Sequence, residues 1–163
     1  MQVLIMRHGD AIPDAASDAL RPLSARGCDE SRQMAAWLSA QGIDIDRVLV
    51  SPFLRAQQTL QAVRDAWQLP VEDECLPELT PGGSAEQVRD YLEVLASQGV
   101  SAVLVISHLP LVGYLVAALC PQETAPMFAT SAVADVQFDP SGAGVWQWQV
   151  SPAQLLAKAA QAK

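Results

Sequence analysis

A chain of 163 residues, half of them hydrophobic, carries 18 acidic against 10 basic side chains, for a formal net charge of −8. This length suits one domain that buries roughly two thirds of the surface it exposes when unfolded, and the apolar content excludes general disorder. The acidity argues against nucleic acid or an anionic membrane as partner.

The first apolar run, Val3-Leu4-Ile5-Met6, is cut off by Gly9 and reads as a buried parallel strand, with Arg7 and His8 where it leaves the sheet. The stretch from Asp10 to Pro22, rich in Asp, Ala and Pro, reads as a loop crossing that edge. Ser24 caps a helix whose Cys28, Ser31, Ala35 and Leu38 share a face and which Gly42 ends. A second strand, Arg47 to Val50, leads through Ser51-Pro52 into a helix running to Trp67, with Pro52 in its first turn and Arg55 one turn in. A weak peripheral strand falls within Val71 to Leu79, and Thr80-Pro81-Gly82-Gly83 makes a turn. Ser84 to Gln87 has capping-box spacing and opens a helix to Gln98.

Strand Ala102 to Ser107 ends at His108, and Pro110 starts the apolar helix Leu111 to Leu119. Ala134, Val136 and Phe138 then alternate with Asp135 and Gln137. After the turn signal Asp139-Pro140-Ser141-Gly142 the alternation resumes over Val145 to Val150, which predicts a β-hairpin with Trp146, Trp148 and Val150 on one core face. The Ala-rich stretch 151–163 reads as a frayed helical tail.

Strands alternating with helices, then a closing hairpin, predict a single α/β domain over residues 1–163. It is a three-layer sandwich with a mostly parallel sheet plus antiparallel additions. Active sites of open α/β sheets lie at the carboxyl edge of the strands, where Arg7, His8, Arg55 and His108 all emerge if the three strands are parallel neighbours. Two histidines and two arginines in one pocket suit a phosphate that is both held and attacked. Arg26, Arg32 and Arg64, on the helices, read as surface solvation.

Cys28, Cys75 and Cys120 are odd in number and lack C-x-x-C spacing, so neither a disulfide framework nor a zinc site is expected. They read as small core residues of a reduced, cytoplasmic protein. The first apolar run is too short for a signal sequence, and Leu109 to Cys120, broken by Pro110 and Gly113, is too short to span a membrane. Arg does not stand six positions after any cysteine, which excludes cysteine-dependent phosphatases; G-x-S-x-G and the phosphate-loop pattern are also missing. Two arginines beside the histidines disfavour a metal there.

Three segments together resemble the histidine phosphatase superfamily, which includes cofactor-dependent phosphoglycerate mutase. Leu4 to Gly9 is similar to its Arg-His-Gly signature, Ser51 to Thr59 to its helix-starting arginine motif, and Val105 to His108 to its late histidine motif. Arg21 to Gly27, Pro77 to Pro81 and Ser107 to Gly113 are further similar to the superfamily's small phosphohistidine phosphatases. Larger members carry a lid over small substrates, for which this chain has no room, so the site is expected to be open to a protein.

The resemblance implies that His8 attacks phosphorus and becomes a phosphohistidine, while Arg7 and Arg55 hold the phosphoryl oxygens. His108 adds a hydrogen bond, as a cation. It implies no metal and no cofactor. It implies a histidine-phosphorylated protein as partner, either a phosphotransfer domain or a phosphocarrier, from which phosphate is released; the acidic, compact chain, with no coiled-coil segment in its sequence, reads as a monomer. Glu78 is placed to be a substrate-side general acid and equally reads as a solvated loop residue. Arg21 is placed to touch phosphate or substrate and equally reads as a partner of Asp18. Leu109 stands where the acid phosphatase branch has Asp, which counts against a general acid phosphatase. Two alternatives stay open: a small-molecule phosphomonoesterase or mutase with the same His8 chemistry, and a non-catalytic module that binds phosphohistidine proteins.

Overall fold

The computed structural model describes residues 1–141 and 143–161. Its single sheet has the order β3-β2-β4-β1-β5-β6, from β1 (Gln2–Arg7), β2 (Arg47–Val50), β3 (Glu74–Cys75), β4 (Ala102–Ser107), β5 (Val133–Gln137) and β6 (Val145–Val150). The first four strands in that order run parallel, β5 runs antiparallel to β1, and β6 antiparallel to β5. Helices α1 (Ala25–Ala40), α2 (Leu54–Arg64) and α5 (Pro152–Gln161) cover one face, and α3 (Ala85–Ser97) and α4 (Leu111–Leu119) the other.

Burial on both faces explains the uninterrupted apolar runs of the central strands. Val3 and Ile5 of β1 face the core of α3 and α4, while Leu4 and Met6 face that of α1 and α2. Strand β4 is buried at all six positions.

Local chemistry fixes the helix ends. Ser24 Oγ accepts the Gly27 amide at 3.0 Å to start α1, and Gly42, with φ of +74°, lies just past its end, where a Cβ would be strained. Ser84 Oγ does the same for the Gln87 amide at α3. Helix α2 starts later than Pro52 suggests: Phe53 is its N-cap, so Arg55 stands in the first turn rather than one turn in, and the helix stops at Arg64.

Three other expectations are corrected. Strand β6 slips register between Asp135 and Val136, so that Trp146 packs into the α3/α4 core while Trp148 and Val150 face α1 and α2. The same double covering of the sheet buries Asp135, and burial pushes its carboxyl up while a hydrogen bond with Gln2 opposes. Cys75 is exposed because β3 is a two-residue edge strand; Cys120 is buried and Cys28 half-buried.

Over 152–161 the C-terminal stretch is a defined helix. Ser151 Oγ accepts the Gln154 amide and Gln154 Oε1 accepts the Ser151 amide, a reciprocal cap, and Leu155 packs on the α1 side of the core. Positions 162 and 163 of that tail, and Gly142 of the hairpin turn, lie outside the described residues. Among the described residues no helix is long and apolar enough to cross a membrane.

Candidate active site

Register brings the two histidines together. Arg7 of β1 pairs with Ser107 of β4, so the next residues, His8 and His108, leave adjacent parallel strands at one height, their ring centroids 5.0 Å apart. Strand β2 joins β4 on the other side with Val50 opposite Ile106, which delivers Ser51, Phe53 and then Arg55 to the same edge. The cleft formed there is about 290 Å³ and is lined by Arg7, His8, Arg55 and His108, with Arg21, Asp10, Ala11, Asp18, Pro81, Leu109 and Thr130 around them.

The tautomer of His8 follows from its neighbours. Nδ1 lies 2.7 Å from Gly9 O, which only accepts, so the ring proton is on Nδ1. Nε2 therefore presents a lone pair, which accepts the Arg55 Nε–H at 3.3 Å. Burial pushes the His8 pKa down to about 4; the Gly9 carbonyl opposes this, and the charges of Arg55, Arg7 and Arg21 reinforce it. His8 is thus neutral at neutral pH, with its Nε2 lone pair toward Arg55.

Gly9 and Gly27 are required by close approach. A Cβ at Gly9 would sit 2.8 Å from Gly27 O and 2.9 Å from Ser31 Oγ, and one at Gly27 would sit 2.2 Å from Asp10 O. Helix α1 therefore presses directly on the chain leaving His8. Thr59 closes the contact from α2: its Oγ1 accepts the Gly9 amide at 3.0 Å and donates to Arg55 O at 2.7 Å.

The guanidinium groups are held from behind. Arg55, 4% exposed, donates through Nη1 to Asp18 O at 2.7 Å and through Nη2 to Asp18 Oδ2 at 3.2 Å, with the Phe53 ring 5.1 Å from its central carbon. Arg7 Nη1 donates to Phe128 O at 2.8 Å, while its buried Nε has no partner among the described residues. Burial, then Arg55, lowers the Arg7 pKa, and Asp10 opposes. Arg21 lines the cleft and pairs with Asp18 Oδ1 at 3.3 Å.

His108 departs from expectation. Burial, then the neighbouring His8 and Arg55, with Asp18 opposing and Arg7 adding, pushes its pKa down to about 3, so the ring is neutral rather than cationic. Glu78 departs further. On the short 3-10 turn Pro77–Leu79, it lines a separate groove with Leu76, Gln87, Val88 and Tyr91 and is not among the residues lining the histidine cleft. Asp18, Ser51 and Thr59 are additional parts of the site. Ser51 and Thr59 lie at the two ends of the segment that carries Arg55, whereas nothing in the sequence singles out Asp18 beyond its proximity to Arg21. No group of three or more His, Cys, Asp or Glu side chains among the described residues is placed to hold a metal.

The arrangement can therefore take a phosphoryl group between a lone pair and two fixed cations. Residues 3–91 match the family described as Histidine phosphatase superfamily (branch 1). The chain belongs to the histidine phosphatase superfamily. Among superfamily members it is 63% identical over 160 residues to phosphohistidine phosphatase SixA of Escherichia coli (strain K12), covering 98% of this chain and 99% of that protein. It is 40% identical over 159 residues to the phosphohistidine phosphatase SixA homolog of Haemophilus influenzae, covering 93% and 97%. Its fold superposes on the structure of protein histidine phosphatase SixA complexed with tungstate with a TM-score of 0.94 at 63% identity, over 95% of this chain and 99% of that one.

Proposed function

We propose that this chain is a protein phosphohistidine phosphatase that works through a phospho-His8 intermediate. The observation that carries the reading is the His8 Nε2 lone pair, set 3.3 Å from the Nε of the buried Arg55. The similarity to phosphohistidine phosphatase SixA supports the substrate class.

Nε2 attacks phosphorus, the substrate's P–N bond breaks, and the departing imidazole keeps the bond pair, leaving as a neutral ring when its other nitrogen is protonated. A conjugate acid with a pKa of about 6.5 leaves readily, so the turn of Glu78 away from the cleft is no obstacle. Phosphorylated at Nε2 and still protonated at Nδ1, His8 carries a positive charge that Gly9 O stabilises. Arg7 and Arg55 bear the charge on the phosphoryl oxygens in flight. Water then attacks phosphorus, the P–Nε2 bond breaks with its electron pair returning to His8, and phosphate leaves as the dihydrogen anion, carrying the oxygen and both protons of the water. The guanidinium pair supplies charge that a metal supplies in other phosphatases, and the chemistry calls for no cofactor.

The partner we assign is a histidine-phosphorylated phosphotransfer domain or phosphocarrier, met by a monomer in the cytoplasm, so that the enzyme tunes a phosphorelay. Phosphate release from such a protein, compared with an oxygen ester for wild type and His8→Ala, tests the proposal. Loss of phosphohistidine that needs His8 and outpaces the ester supports it. Faster ester turnover would favour a small-molecule phosphomonoesterase, and a His8 that is never phosphorylated would favour a binding module.

A further inference from the structure

Ser51 is fully buried at the end of β2. Its amide donates to Ile106 O at 3.1 Å and its carbonyl accepts Gln57 Nε2 at 2.9 Å, which fixes the residue in place. Its hydroxyl oxygen accepts the Phe53 amide at 3.2 Å and lies 2.7 Å from His108 Nε2.

The hydrogens in this cluster can be counted. A neutral imidazole has one N–H, on Nδ1 or on Nε2. With the proton on Nε2, three hydrogens would converge: the Phe53 N–H, the His108 Nε2–H and Ser51's own O–H. Only the Ser51 oxygen would accept, and the hydroxyl hydrogen would be buried without an acceptor among the described residues. With the proton on Nδ1, Ser51 accepts from Phe53 and donates to Nε2, and each of those groups is satisfied. His108 Nδ1 is buried and partnerless in either case. Set in a ring that lines the anion cleft, an unpartnered N–H attracts a phosphoryl oxygen, whereas an unpartnered lone pair repels it.

We propose that Ser51 is a positioning residue: it donates its hydroxyl hydrogen to His108 Nε2 and so holds the imidazole as the Nδ1–H tautomer, the form that donates to a phosphoryl oxygen. The proposal rests on the phosphoryl-transfer reading of the cleft, and it gives Ser51 a chemical task inside a motif otherwise notable for Arg55. The two histidines are held in the same tautomer for opposite purposes. Gly9 O draws the proton to Nδ1 of His8 so that Nε2 can attack, while Ser51 occupies Nε2 of His108 so that Nδ1 can donate.

Long-range 1H–15N NMR spectra of the full-length protein separate the two ring nitrogens of each histidine, and with only two histidines in the chain His8→Asn leaves one set. The expected wild-type spectrum shows His108 protonated at Nδ1, with Nε2 shifted as a hydrogen-bond acceptor. Ser51→Ala is expected to mix the tautomers and Ser51→Thr, which keeps the hydroxyl, to restore the single one. An Nε2–H tautomer in the wild type would overturn the proposal even if Ser51→Ala failed to fold, and so would an unmixed Nδ1–H tautomer in a folded Ser51→Ala. In turnover of a phosphohistidine protein, Ser51→Ala should lower kcat roughly tenfold to a hundredfold with KM little changed, as loss of an outer partner does at metal-bound histidines. Unchanged kcat beside mixed tautomers would refute the positioning role. A wild type without turnover would defeat the phosphatase reading instead, while the spectra still decide the tautomer.

Discussion

Acidification should weaken this protein through the histidines of its own active site. The unfolded chain binds a proton at His8 with an ordinary pKa of 6.5, whereas the folded chain does so only near 4. Between those values the unfolded state holds the extra proton, so the contribution of His8 is complete above pH 6.5 and is lost as pH falls toward 4. That gap corresponds to about 3 kcal/mol, a large share of the stability of a domain this size. His108, displaced in the same direction to about 3, adds to the loss. With ring centroids 5.0 Å apart the two titrate as a coupled pair rather than independently. Urea unfolding across this window, in wild type and in His8→Asn, isolates the effect, since the carboxylates common to both proteins cancel in the difference. Asn keeps a side-chain amide able to donate to Gly9 O. The wild type should lose about 3 kcal/mol more than the variant over the window. Parallel stability curves, or a His8 that titrates near 6.5 by NMR, would refute the account.

Gly27→Ala should both destabilise the fold and impair the site, because its Cβ would stand 2.2 Å from Asp10 O and α1 would have to move off the chain that follows His8. A cost of about 1–3 kcal/mol in urea unfolding is expected, with a fall in kcat/KM, and a variant within about 0.5 kcal/mol of wild type would contradict the packing argument. Glu78→Gln should leave phosphohistidine turnover within about twofold of wild type, because the carboxylate lines a separate groove and an imidazole leaving group needs little acid assistance. A larger drop would return a carboxyl to the reaction.

The four central site residues were legible because each follows a buried apolar run or opens the helix after one, and parallel strands in a doubly covered sheet end at one edge. Side chains whose role depends on a turn were not. Glu78 sits on a 3-10 turn, and nothing local in Pro77-Glu78-Leu79 says which groove the carboxylate enters. Asp18 grips Arg55 across 37 positions of sequence, a pairing decided by how the loop from Asp10 to Pro22 folds back. The neutral state of His108 could not be inferred either, since its sequence neighbours show neither the depth of burial nor the cations around it. Trp146 was misplaced because a register slip is a property of two strands, while alternation is read from one.

The position of β1 in the sheet also sets when the site can exist. Its two neighbours are β4 and β5, drawn from residues 102–107 and 133–137, so the strand that leads to His8 has no partner until most of the chain is available. During synthesis, therefore, a growing chain exposes Val3 to Met6 as an unpaired apolar edge and holds no assembled phosphate cleft. Pairing across about a hundred residues is among the slow, non-local steps of folding, and here it coincides with the appearance of catalytic geometry. A chain cut short before β4 keeps Arg7, His8 and Arg55 and lacks the scaffold that makes them a site.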